Sequence, residues 1–171
     1  MPTGLKASSS VVSIGFEIQE SAANTFAQTQ VDLNLSPLDR EVFVVLGINL
    51  DPSTPDCVIG TNTSVASSLC STSQTAVQLL SNSNCLAVSV NSIKTHAAAT
   101  DSGTSFQTLG METPPAQLDY IGIIATNDFF VQVEGAGNTN ARRVSGKMYG
   151  YRARASADIF AALVQSEVLS A

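Results

Sequence analysis

Few residues in this chain have the type and spacing that catalysis needs. His96 is the only imidazole, and it sits in the polar run Lys94-Thr95-His96-Ala97. A Ser-His-Asp triad needs that imidazole held between an acid and a nucleophile. With 22 serines in the chain, a serine near His96 carries no information. No G-x-S-x-G elbow, H-E-x-x-H pair or Walker loop is present. Gly135-Ala136-Gly137-Asn138 resembles the start of a phosphate loop, but strand patterns lie on both sides of it, so it reads as a hairpin turn. Carboxylates close in sequence are Glu17 with Glu20, Asp39 with Glu41, and Asp51 with Asp56. Paired acids serve glycosidases, but each of these reads more simply as a strand-surface or turn acid. Asp51 and Asp56 flank a proline-rich segment, without the repeated oxygen ligands that calcium requires. Cys57, Cys70 and Cys85 form no C-x-x-C pair, and with one histidine they make no tetrahedral zinc set. Three is an odd number, so they cannot all pair within the chain. Reduced thiols are expected, with a Cys57–Cys70 or Cys70–Cys85 bridge as the alternative. The expectation is a protein with no catalytic residues, no metal and no cofactor.

Charge is the more informative pattern. Five of the eight Lys and Arg residues, Arg142, Arg143, Lys147, Arg152 and Arg154, fall between positions 142 and 154, and no acid interrupts them. On a strand, Arg152 and Arg154 share a face and Lys147 takes the other. Such a stripe either balances acids within the chain or meets acidic patches on a neighbouring copy, or packaged nucleic acid. After it, Ser156-Ala157-Asp158 reads as a helix N-cap with an acid in the first turn. Phe160, Leu163, Val164 and Val168 then recur at helical spacing. The basic stripe and these four apolar residues are the candidate interface.

The elements that would carry these residues are mostly strands. Ile14, Phe16 and Ile18 alternate with Gly15 and Glu17, and Val31, Leu33 and Leu35 alternate with polar residues. Glu41 to Leu50 is apolar on both faces, with Val42, Val44, Leu46 and Ile48 on one and Phe43 and Val45 on the other. Pro37 to Arg40 precedes it as a turn, and Pro52 ends it. The spacing predicts a short helix over 73–80 capped by Ser73, a strand around Leu86, Val88 and Val90, and a surface loop from Lys94 to Gly110. Leu118 to Ala125 and Phe129 to Val133 read as a hairpin about Thr126-Asn127-Asp128, and Val144 to Ala155 as the last strand. The fold class is therefore an all-β antiparallel sandwich, jelly-roll-like, over residues 1–155. A C-terminal α-helix over 156–171 either belongs to the same domain or forms an inter-subunit contact. Helices between the strands, which a parallel sheet would need, are missing.

Composition fits a surface that will be covered. The chain has 171 residues, enough for one domain with a real core. Only 13% are charged, and 47 are Ser, Thr or Asn. The net charge of −6 argues against a surface that grips nucleic acid all over. No run of 18 apolar residues is present, and the N-terminus has no secretory pattern, so no membrane span is expected and synthesis is expected in the cytoplasm.

Together, Leu118-Asp119-Tyr120-Ile121-Gly122-Ile123-Ile124 and Gly146 to Ala155 followed by the helix resemble small single jelly-roll coat proteins of viruses. The resemblance covers most of the chain and is one of architecture and composition. It departs from coats with an arginine-rich N-terminal arm, since residues 1–12 hold only Lys6. It implies a self-assembling subunit of a virion shell, partnered by copies of itself and by non-specifically packaged nucleic acid. A carbohydrate- or receptor-binding sandwich, such as a viral fibre head, is the alternative. The lack of Trp and the presence of only three Tyr weigh against it.

Overall fold

The computed structural model describes residues 2–95, 103–109 and 118–170; His96 lies outside the described residues. Among the described residues, ten strands run in the order β1 (Leu5–Ala7), β2 (Val12–Gln19), β3 (Ala27–Asp32), β4 (Glu41–Pro52), β5 (Thr63–Cys70), β6 (Cys85–Thr95), β7 (Gly103–Leu109), β8 (Gly122–Ile124), β9 (Asp128–Ala136) and β10 (Arg143–Ala155). One helix, α1 (Ala157–Leu169), follows.

The strands form two five-stranded antiparallel sheets. In the first, β10 pairs with β4 on one flank and with β2 and then β1 on the other, and β8 closes the far side of β4. The second has the order β3-β9-β5-β6-β7. Setting β1 and β7 aside, the orders are β2-β10-β4-β8 and β3-β9-β5-β6. The chain crosses between sheets at nearly every connection, as in the double Greek key of a jelly roll. The structure is thus an all-β sandwich with a C-terminal helix, as the strand patterns predict.

The main core lies between the sheets. Phe16, Phe43, Ile48 and Met148 from the first meet Val65, Leu69, Phe129, Val131 and Val133 from the second. The rings of Phe16 and Phe129 pack edge to face at 5.8 Å. A second cluster lies on the outer face of the first sheet, where Val42, Val44, Ala153 and Ala155 are covered by Ile159, Phe160, Leu163 and Val164 of α1.

A bulge links the two clusters. Tyr149 pairs with Gly47 but Gly150 pairs with Val45, leaving Leu46 as the extra residue on β4. One extra residue inverts the alternation. Ile48 and Leu50 therefore join Phe43 and Val45 inside, while Val42, Val44 and Leu46 face α1. The simple alternation read over Glu41 to Leu50 had put Ile48 with Val42 and Val44; the bulge corrects this. Gly150 is required opposite it, because a Cβ there would run into the Val44 carbonyl oxygen and the Phe43 ring.

Several other local expectations are revised. Residues 73–80 form no helix. The 71–84 connection is held to the outer face of the second sheet instead: Gln74 N–H donates to Gln28 Oε1 at 2.8 Å and Gln78 N–H to Ser68 Oγ at 3.0 Å. These tertiary bonds compete with helical ones for the same amides. Within the expected loop from Lys94 to Gly110, Gly103–Leu109 is the edge strand β7 on β6. The apolar run from Leu118 gives only the three-residue strand β8, and it forms no hairpin with β9: β8 pairs with β4 and β9 with β3 and β5. Nor is Gly135 to Asn140 a hairpin turn, since β9 and β10 lie in different sheets. In both cases the turn crosses the sandwich. Leu33 and Leu35 are buried as the alternation predicts, but beyond β3. Their amides are satisfied by Asn127, through its carbonyl at 2.7 Å and its Oδ1 at 2.6 Å.

Candidate interaction surface

The basic stripe does not stay together. β10 keeps one alternation along its length, so Arg143 and Lys147 point outward and Arg152 and Arg154 share the opposite face. Arg142 is drawn into the fold. Its guanidinium pairs with Asp56, and Nη1 donates to the Thr54 carbonyl at 2.9 Å. Arg143 pairs loosely with Glu17 at 3.4 Å, both largely exposed. Arg152 donates from Nη2 to the Leu33 carbonyl at 2.9 Å, while its Nε is buried without a partner. Lys147 and Arg154 are exposed. Of the apolar helix residues, Phe160, Leu163 and Val164 pack on this chain's own outer cluster, and Val168 is 58% exposed.

Three of the acids read as candidate pairs, Glu20, Glu41 and Asp56, are engaged in holding loops. Glu20 is buried; its Oε1 accepts from Gly135 N–H at 2.6 Å and Thr25 N–H at 3.1 Å, and its Oε2 from Arg142 N–H at 2.7 Å. Asp56 Oδ2 accepts from the Thr139 amide and hydroxyl, both at 2.9 Å, and from the Asn140 amide at 3.0 Å. Desolvation pushes the Asp56 carboxyl up. The hydrogen bonds from Thr139 and Arg142 and from the Asn140 and Thr139 amides outweigh it and hold the group well below the usual carboxylate range. Asn138 completes this pole of the sandwich: its amide donates to Asn24 Oδ1 at 2.8 Å and its Oδ1 accepts from Asp56 N–H at 2.9 Å. Glu41 accepts from Ser8 Oγ at 3.3 Å and Ser36 N–H at 3.1 Å.

Glu167 was not singled out from the sequence. It is buried, and its carboxylate accepts from the amides of Ala125 at 2.9 Å and Thr126 at 3.1 Å and from Thr126 Oγ1 at 3.1 Å. An acid one turn beyond Leu163 and Val164 on the apolar stripe was the available signal. Ser156 sits at the N-cap as expected, but its side chain makes no cap bond.

The three cysteines are free thiols, Cys57 exposed and the other two buried. Cys70 and Cys85 are register partners on β5 and β6. Their mutual hydrogen bond, with burial, pushes the Cys70 thiol above its ordinary range, and the same bond lowers that of Cys85. Among the described residues, no group of three or more His, Cys, Asp and Glu is placed to hold a metal ion, and no helix is long and apolar enough to cross a membrane. One open groove of about 550 Å³ lies where the 51–55 segment meets β6 and β7, lined by Asp51, Asn91, Ser92, Ser105, Phe106 and Gln107 among others.

The architecture is thus that of a jelly-roll sandwich with a helix on one outer face and, among the described residues, unpaired strand edges. No protein-family model and no curated protein matches the chain. Among solved structures it is similar to a chain titled Desmodium yellow mottle tymovirus. The two are 13% identical, with 92% of this chain and 95% of the other covered and a TM-score of 0.31. That likeness is weak.

Proposed function

We propose that this chain is a structural subunit that assembles with copies of itself, in its most specific form the coat protein of a virion shell, with no catalytic role. One observation carries the reading. The described buried acids, Glu20 and Glu167, are tied to backbone amides that hold loops or the terminal helix, and neither faces the groove. Both carboxylates spend their hydrogen bonds on the fold, which favours a structural role over a reacting one. Jelly rolls serve as shell subunits and as binding modules, and fold alone does not choose between them. Low surface charge and exposed strand edges favour edge and face contacts between copies. Packaged nucleic acid would be met non-specifically, by the exposed basic residues that no acid already pairs.

Sedimentation velocity and electron microscopy of the purified chain, over a range of concentration and salt, test this. Large regular species are expected. A protein that stays monomeric under every condition, with no particles in its native source, would refute the proposal.

A second reading rests on the groove. Phe106 is 55% exposed on its wall beside Asn91, Ser92 and Gln107. An aromatic face with amides and hydroxyls suits a sugar. A glycan array with hits that Phe106→Ala abolishes would favour this reading; an array without hits would remove it.

A further inference from the structure

Two rows of like charge lie at the free edges of the two sheets. β1 ends one flank of the first sheet, and there Lys6 is the direct cross-strand partner of Arg154. β3 ends one flank of the second, and there Asp32 is the direct partner of Asp128. Like charges placed opposite each other on neighbouring strands destabilise a sheet. Lys6, Arg154 and Asp32 are exposed and Asp128 is half-buried. None of the four makes an ion pair with another described residue. Across from Arg154 on its other side stands an acid, Glu41, which accepts from Ser8 and Ser36 and forms no ion pair with it among the described residues. Asp128 receives only a neutral bond, from Gln30 Nε2 at 2.5 Å.

Resting on the self-assembly reading, we infer that the Lys6–Arg154 row of one copy docks against the Asp32–Asp128 row of the next. The contact is heterologous: two different patches meet, so each copy keeps one of each free for further neighbours. Each row is repelled within its own sheet and neutralised by the other, so complementarity favours this pairing over two like edges meeting. Both rows lie on edge strands, whose unpaired backbone groups are open to a neighbour. A polyanion is the weaker occupant of the basic row. Glu41 stands across from Arg154, and the chain as a whole carries −6.

The experiment compares the full chain, Lys6→Glu/Arg154→Glu, Asp32→Lys/Asp128→Lys, and an equimolar mixture of the two variants. Sedimentation gives the concentration of half-assembly, circular dichroism reports folding, and a labelled single-stranded oligonucleotide reports nucleic-acid retention. Each variant alone should need about tenfold more protein to assemble, the effect of losing roughly 1.4 kcal/mol. The mixture should assemble near the wild-type concentration with both variants in equal amounts, because each then presents the charge the other lacks. Misfolded chains would not be rescued this way. If the wild type assembles and both variants match it, the rows serve only to guard their edges and the inference is overturned, while the assembly reading stands. A mixture that fails to recover also overturns it. So does loss of the oligonucleotide from Lys6→Glu/Arg154→Glu with assembly unchanged, which would assign the basic row to nucleic acid. If the wild type never assembles, both readings fall.

Discussion

Replacing Glu167 by alanine tests how the terminal helix is held. The carboxylate receives three hydrogen bonds from the turn between β8 and β9, from Ala125 N–H, Thr126 N–H and Thr126 Oγ1, at 2.9–3.1 Å. Ala125 is buried, so its amide loses its partner in a place water does not readily reach. An orphaned buried donor costs about 1–3 kcal/mol, and the two Thr126 bonds to a charged acceptor add to it. We expect a total loss of about 2–4 kcal/mol, a large part of the roughly 5–15 kcal/mol that holds a domain folded. With a urea slope near 2 kcal/mol/M, the unfolding midpoint should fall by about 1–2 M. Glu167→Gln keeps one oxygen for the two amides but loses the carboxylate charge and reverses the bond to the Thr126 hydroxyl, and should lose about half as much. In a double-mutant cycle, Thr126→Val should couple to Glu167→Gln by about 1 kcal/mol. Val168→Ala, at the exposed neighbouring position, should stay within about 0.5 kcal/mol of wild type. A Glu167→Ala midpoint within about 0.3 M of wild type, roughly 0.6 kcal/mol at that slope, would refute the reasoning.

Two further outcomes follow from the packing and the polar pole. Gly150→Ala pushes a methyl against the Val44 carbonyl and the Phe43 ring and should cost about 1–3 kcal/mol in urea unfolding, with Phe43→Leu in the same chain relieving only the ring contact; an unchanged midpoint would contradict the close packing. Because the Asp56 carboxyl is held below its ordinary value of 3.8, it binds its proton more weakly folded than unfolded. Its stabilisation is therefore complete above about pH 4 and is lost as pH falls below that. Unfolding midpoints measured from pH 6 down to pH 2 should decline less for Asp56→Asn than for wild type; parallel curves would show that Asp56 has no such linkage.

The sequence alone determined what is local. Alternation at Ile14, Phe16 and Ile18 is read within one strand, as is the spacing of Phe160, Leu163 and Val164 on one helix, because side-chain direction follows from backbone period. All-β class, the terminal helix and the buried character of Leu33 and Leu35 were legible for that reason. Other features depended on remote partners. The 73–80 segment had helical spacing, but Gln28 and Ser68 drew its amides onto a sheet. Thr126 to Asp128 had turn chemistry, but only the pairing of β8 with β4 showed that it crosses between sheets. Among the candidate interface residues, Arg142 and Arg154 look alike in sequence; Asp56 neutralises the first, while the second faces Lys6. A charge's role depends on what register and topology set beside it, and those are properties of the folded chain.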